Sequence, residues 1–124
     1  MTKATTFCKV TGDLNNGELL FRIGKWKLLI ETNRYYEIKP ETGAVKRLYK
    51  EKLNTICEES KHFAHGFLSC SAFCREDQIH DMKLQIIHKL ESNIQTYLNE
   101  LEINQLAIQQ QYHQLQLAGS PGES

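Results

Sequence analysis

The chain has 124 residues, of which 40% are hydrophobic and 24% charged, with equal numbers of acidic and basic side chains. This length suits one domain with one hydrophobic core, and the apolar content is well above that of a disordered chain. No stretch approaches the ~18 apolar residues of a membrane span, and no apolar run follows Lys3 to act as the core of a secretory leader, so the reading predicts a cytoplasmic protein whose four cysteines are reduced.

Charge is split along the chain. Met1–Lys50 holds ten Lys and Arg against five Asp and Glu, and the remainder holds five against ten. The split fits acidic helices lying beside a basic sheet, or an anion-binding N-terminal half.

The first fifty residues carry the turn chemistry of an antiparallel meander. Asn15-Asn16-Gly17 accepts positive φ, and Lys39-Pro40-Glu41-Thr42-Gly43 combines a pre-set proline φ with a free glycine. Strands are predicted at 6–11, 19–23, 25–31, 34–39 and 44–49, with Gly24 as a bend or bulge and Thr32-Asn33 as a tight turn. Alternation puts Trp26, Leu28 and Ile30 on one face. Leu19, Phe21, Ile23, Tyr36 and Ile38 are expected to join them, leaving Arg22, Lys25, Lys27, Tyr35 and Lys39 on the other side.

After Lys50 the apolar spacing changes. Leu53, Ile56, Cys57, Ala64, Phe67, Ser71 and Cys74 recur mostly at steps of three and four, which predicts an amphipathic helix over 50–75, weakened at Gly66. Asp77 is the expected cap of a second helix. That helix, over 77–117, contains neither Pro nor Gly, and at ~1.5 Å per residue it would be roughly 60 Å long. Ile87, Leu90, Ile94, Tyr97, Leu101, Ile108 and Leu115 form a heptad seam interrupted by Asn104 and Gln111. The preceding helix could cover only its first part, so a homodimer or higher homo-oligomer is expected. Residues 119–124 read as a helix stop and a disordered tail.

The predicted fold class is therefore α+β. A single domain over 1–118 has an antiparallel β-meander of four to five strands in 1–49, followed by two C-terminal helices, the last long and amphipathic.

One cluster has the right elements for a metal or a nucleophile: Cys57, His62, His65, Cys70 and Cys74. On a single helix these side chains point around the axis rather than at one point, and Glu58-Glu59 beside Cys57 oppose thiolate formation. The glycines match no phosphate-binding loop, and no serine nucleophile elbow or metalloprotease helix motif is present. No cofactor, metal or catalytic residue is assigned, and a small Cys/His enzyme or zinc protein stands as a lesser alternative.

The better lead is the basic sheet face. Arg22, Lys25, Lys27, Arg34, Tyr35 and Lys39, with Lys46 and Arg47 nearby, combine positive charge with an aromatic ring. These residues predict a non-catalytic binding or regulatory protein that assembles through its C-terminal helices and holds a protein or an anionic ligand on its sheet. A nucleic-acid-binding regulator is the second expectation. A virus- or plasmid-encoded inhibitor that sequesters a host protein or a nucleotide-like signal is the third, and no membrane partner is expected.

Overall fold

The computed structural model describes residues 5–119. Residues 1–4 and 120–124 lie outside it, and with them the N-terminal stretch searched for a leader and most of the expected disordered tail. By contacts the chain divides into two compact units, Met1–Glu91 and Ser92–Ser124.

The first unit is built on six strands: β1 (Thr6–Asn15), β2 (Glu18–Glu31), β3 (Tyr35–Pro40), β4 (Lys46–Tyr49), β5 (Cys57–His62) and β6 (Phe67–Arg75). All neighbouring pairs are antiparallel, in the order β4-β3-β2-β1-β6-β5. One helix follows, α1 (Ile79–Ala118), so the class is α+β as the sequence indicates.

The first turn forms where the sequence puts it. Asn16 at φ 49° and Gly17 at φ 88° join β1 to β2 with Asn15 opposite Glu18, the geometry that matches strand twist. Thr32 closes the next turn, its hydroxyl oxygen accepting from the Tyr35 N–H at 3.1 Å.

The helix expected over 50–75 is instead β5 and β6. In β6 the residues Leu68, Cys70, Ala72 and Cys74 alternate with Phe67, Ser69, Ser71 and Phe73; the first set is buried throughout, and in the second the two serines are buried and the two phenylalanines half-buried. A strand covered on both faces loses the polar–apolar alternation that identifies strands, and small residues at steps of three and four then imitate a helix. Gly66, at φ 65°, ends the short turn between the two strands, and its carbonyl accepts the Asn16 N–H at 2.9 Å.

Gly24 is also not a bulge. It pairs in register with Lys9, so β2 runs fourteen residues and the register shift comes later, between Leu28 and Ile30. Strict alternation through Gly24 puts Arg22, Trp26 and Leu28 on one face and Phe21, Ile23, Lys25 and Lys27 on the other. Both the expected core set and the expected basic set are thus split.

The sheet curls. Four spacings of ~4.8 Å would hold β4 and β6 about 19 Å apart if it were flat, yet Lys46 Nζ on β4 reaches 5.9 Å from the Phe73 ring centre on β6. Inside the curl Phe7, Tyr36, Ile38 and Leu48 form a buried core against which Trp26, Leu28, Leu53 and Phe73 pack. Phe7 and Tyr36 lie 4.7 Å apart, and Trp26 meets Phe73 edge-on at 5.4 Å.

The outer face of β1 and β6 receives the start of α1. Cys8, Val10 and Gly12 stand opposite Cys74, Ala72 and Cys70, a floor of small side chains. Met82, Ile86 and Leu90 are the buried helix residues that recur at steps of four within this unit. At Gly12 an added Cβ would lie 2.7 Å from Ile86 Cγ2 and 3.2 Å from Phe21 Cε1. The helix begins without Asp77 as its cap: the Gln78 side chain accepts the Arg75 N–H at 3.2 Å and a short 3-10 turn leads into Ile79.

Leu90, expected in an intermolecular seam, is buried within the first unit. In the second unit the helix continues to Ala118, and residues 98–118 are exposed throughout. No helix among the described residues is long and apolar enough to cross a membrane.

Gly12→Ala should destabilise the protein by ~1–3 kcal/mol through overpacking, and Ile86→Ala by ~2–5 kcal/mol through the cavity it leaves. Urea unfolding of the double variant should show a loss smaller than the two separate losses together. Simple additivity would mean that the two side chains do not compete for one space.

Candidate binding surfaces of the sheet

The continuous β2 gives the sheet two chemically different surfaces. Inside the curl, a cavity of about 430 Å³ is lined by Lys9, Thr11, Asp13, Arg22, Trp26, Glu59 and Ser69, among others. Arg22 Nε donates to Asp13 Oδ2 at 2.6 Å, and Ser69 Oγ donates to Asp13 Oδ1 at 2.8 Å. Lys9 Nζ lies 3.4 Å from Glu59 Oε1, and the Ser71 hydroxyl donates to the same oxygen. The register shift between Glu58 and Ser60 leaves Glu59 unpaired in the ladder, and such a bulge re-aims a side chain.

These contacts keep both acids ionised. The Arg22 hydrogen bond, assisted by Ser69, holds the Asp13 carboxyl below its ordinary value of 3.8 despite partial burial. The Ser71 hydrogen bond, with Lys9 adding positive charge, holds Glu59 below 4.5. At neutral pH neither has a proton to donate, and both are weak bases.

The outer face of β2–β4 is different. Lys27 stands directly opposite Lys39, Glu37 opposite Arg47 and Tyr35 opposite Tyr49. Arg47 covers the Tyr35 ring at 4.5 Å and lies 3.8 Å from Glu37 Oε1, while Tyr35 and Tyr49 meet edge-on at 5.6 Å. A shallow cavity of about 600 Å³ is lined by Thr6, Lys25, Trp26, Lys27, Leu29, Lys39, Pro40 and Glu41. Among the described residues Lys25, Lys27 and Lys39 enter no ion pair. Leu29 and Ile30 are exposed beside them.

Of the six residues singled out in the sequence, Lys25, Lys27, Tyr35 and Lys39 share this outer face. Arg34 sits in the adjoining turn, where its carbonyl accepts the Lys50 N–H at 2.9 Å. Arg22 belongs to the inner cavity. Lys46 also turns inward, over Phe73.

The sequence reading missed the inner cavity. Its Asp13–Arg22 pair was legible, because the Asn16-Gly17 turn fixes a register in which the two are diagonal neighbours on one face. The Lys9–Glu59 pair was not, since it needs β5 beside β6.

The cysteines and histidines are dispersed. Cys57 and His62 lie on β5, His65 in the turn after it, and Cys70 and Cys74 on the helix-covered face of β6. Among the described residues no group of three or more His, Cys, Asp or Glu side chains could hold a metal ion. Burial raises the Cys8 and Cys70 thiols and pushes Cys74 up to about 11, whereas Cys57 is exposed. No family model, curated protein or solved structure matches the chain.

A disulfide exchange reagent at pH 8 should titrate one thiol rapidly in the folded protein and four after denaturation, and Cys57→Ser should remove the rapid one. Acid should unfold the protein in a way that involves Asp13 and Glu59. Because their folded pKa values are depressed, the stabilisation they provide is present above pH ~5 and disappears as pH drops through and below the ordinary values. Asp13→Asn should cost ~1 kcal/mol at pH 7 and flatten the decline of the urea midpoint below pH 5.

Proposed function

We propose that this protein is a non-catalytic binding protein that holds an acidic segment of a partner protein on the outer face of β2–β4 and acts by occupancy. The observation that carries this reading is the pairing of Lys27 with Lys39. Like charges directly opposite on neighbouring strands are destabilising, and here no carboxylate is paired with either lysine among the described residues. An anion seated between them removes the repulsion. Leu29, Ile30 and the tyrosine pair add the apolar and aromatic area that protein contacts use.

The inner cavity supports the non-catalytic part of the reading. Its charges are already matched in pairs, and its carboxylates are held ionised. Four thiols without a disulfide suit the reducing cytoplasm, the location that completes this proposal.

A second reading, single-stranded nucleic acid on the same face, is favoured by one observation. The stacked Arg47–Tyr35 pair beside the lysines combines the cation and the ring on which bases stack.

The two lysines give a test in which stability and binding move in opposite directions. Lys39→Glu should raise stability by ~0.2–1 kcal/mol by creating an opposite-charge pair, yet weaken binding of a twelve-residue polyglutamate probe followed through Trp26 fluorescence. Lys27→Glu with Lys39→Glu should abolish that binding. Unchanged affinity in the double variant would refute an anion site at this face. If a twelve-nucleotide single strand binds more tightly than the peptide, with steep salt dependence and a loss on Tyr35→Ala, the second reading replaces the first.

A further inference from the structure

The second unit has a composition that a solvated helix does not ordinarily have. Between Ser92 and Ala118 the only Asp, Glu, Lys or Arg residues are Glu100 and Glu102, and the stretch from Ile103 to Ala118 holds none. Yet Leu98, Leu101, Ile108, Tyr112 and Leu115 are 44–69% exposed. Two side-chain hydrogen bonds along it, Gln95 to Asn99 and Gln116 to Tyr112, each span one turn and contribute little. Helices draw most of their stability from burial of an apolar face.

That face has a defined geometry. At ~100° per residue, Ile94, Leu98, Leu101, Gln105, Ile108, Tyr112 and Leu115 fall within an arc of about 100°. They alternate at steps of four and three, with Ile94, Leu101, Ile108 and Leu115 as one column of a heptad and Leu98, Gln105 and Tyr112 as the other. The seam expected from the sequence paired the first column with Tyr97, Asn104 and Gln111. Shifting the second column by one residue replaces two of those three polar or half-buried positions with exposed Leu98 and Tyr112. A weaker stripe on the opposite side, Ile103, Leu106 and Leu117, is interrupted by Gln110 and His113.

We infer that this seam is covered by a second copy of the chain, paired parallel and in register as a two-stranded coiled coil. An almost uncharged helix offers no electrostatic attraction to an unlike partner and no repulsion to its own copy. Gln105 then decides the arrangement. In a parallel, in-register pair it faces its own counterpart, and each amide supplies the donor the other accepts. In an antiparallel pair it faces the other column, Leu101 or Ile108, and stays unsatisfied. A single polar residue in a seam is a known determinant of register and strand number. This inference does not depend on the anion site proposed above.

The full chain at ~50 μM should sediment at twice its 14.4 kDa mass. Leu101→Asp with Ile108→Asp should return it to one chain while the near-ultraviolet signal of Trp26 is retained. In a Cys57→Ser background, Gln105→Cys should form an intermolecular disulfide on mild oxidation, because only a parallel in-register pair brings the two positions face to face. A monomer at this concentration, including one whose seam is reserved for another protein, overturns the inference. So does a dimer in which Gln105→Cys fails to cross-link, or an assembly of more than two chains.

Discussion

The first unit depends on a close approach at its centre. β1 is covered on both sides by different material: inside the curl by the aromatic core around Phe7, and outside by the first turns of α1. The outer covering requires that its outward side chains be small. Gly12 is the extreme case, since the Ile86 methyl occupies the space a Cβ would need. Cys8, Val10, Cys70, Ala72 and Cys74 extend the same thin layer across β1 and β6. Three of these are cysteines, and in this setting a thiol serves as a small hydrophobe. Burial that raises their pKa also makes them poor nucleophiles.

The curl separates the charges of the sheet into two kinds. Four of those turned inward are matched, Arg22 with Asp13 and Lys9 with Glu59, each carboxylate also held by a serine, while Lys46 lies over the Phe73 ring. Lys25, Lys27 and Lys39, turned outward, are not. The excess positive charge of the N-terminal half therefore resides mainly where a partner can reach it. The same division explains why charge asymmetry along the sequence was only a partial guide. Part of it is neutralised within the curl, and Lys89 of α1 lies 3.4 Å from Glu58 of β5, joining the acidic half to itself.

Much of the architecture was legible in the residues, and the errors have physical causes. The Asn16-Gly17 turn, the strands through Tyr36 and Ile38 and the long final helix are strong local signals, and all are present. β6 was read as part of a helix because burial on both faces erased its alternation, and β5, polar and mostly exposed, offers no apolar alternation of its own. Arg22 was assigned to the wrong face because Gly24 was taken as a bulge, when the register shift occurs at Leu29. Glycine in a strand can mark a bulge or merely a gap, and here the nearest neighbour of a Cβ at Gly24 would be the Trp26 indole nitrogen at 3.7 Å. The outer lysines were found together because three of them, at 25, 27 and 39, obey plain alternation.

The two ends of the sheet limit how it can be extended. β4 offers four residues, two of them cationic, and β5 reads Cys-Glu-Glu-Ser-Lys-His with its ladder broken at Glu59. A strand added beside β5 would have to accept that kink and bring its own side chains against Glu58 and Lys61, which already satisfy each other at 2.7 Å. Such borders discourage growth by strand addition, the route to ordered aggregates.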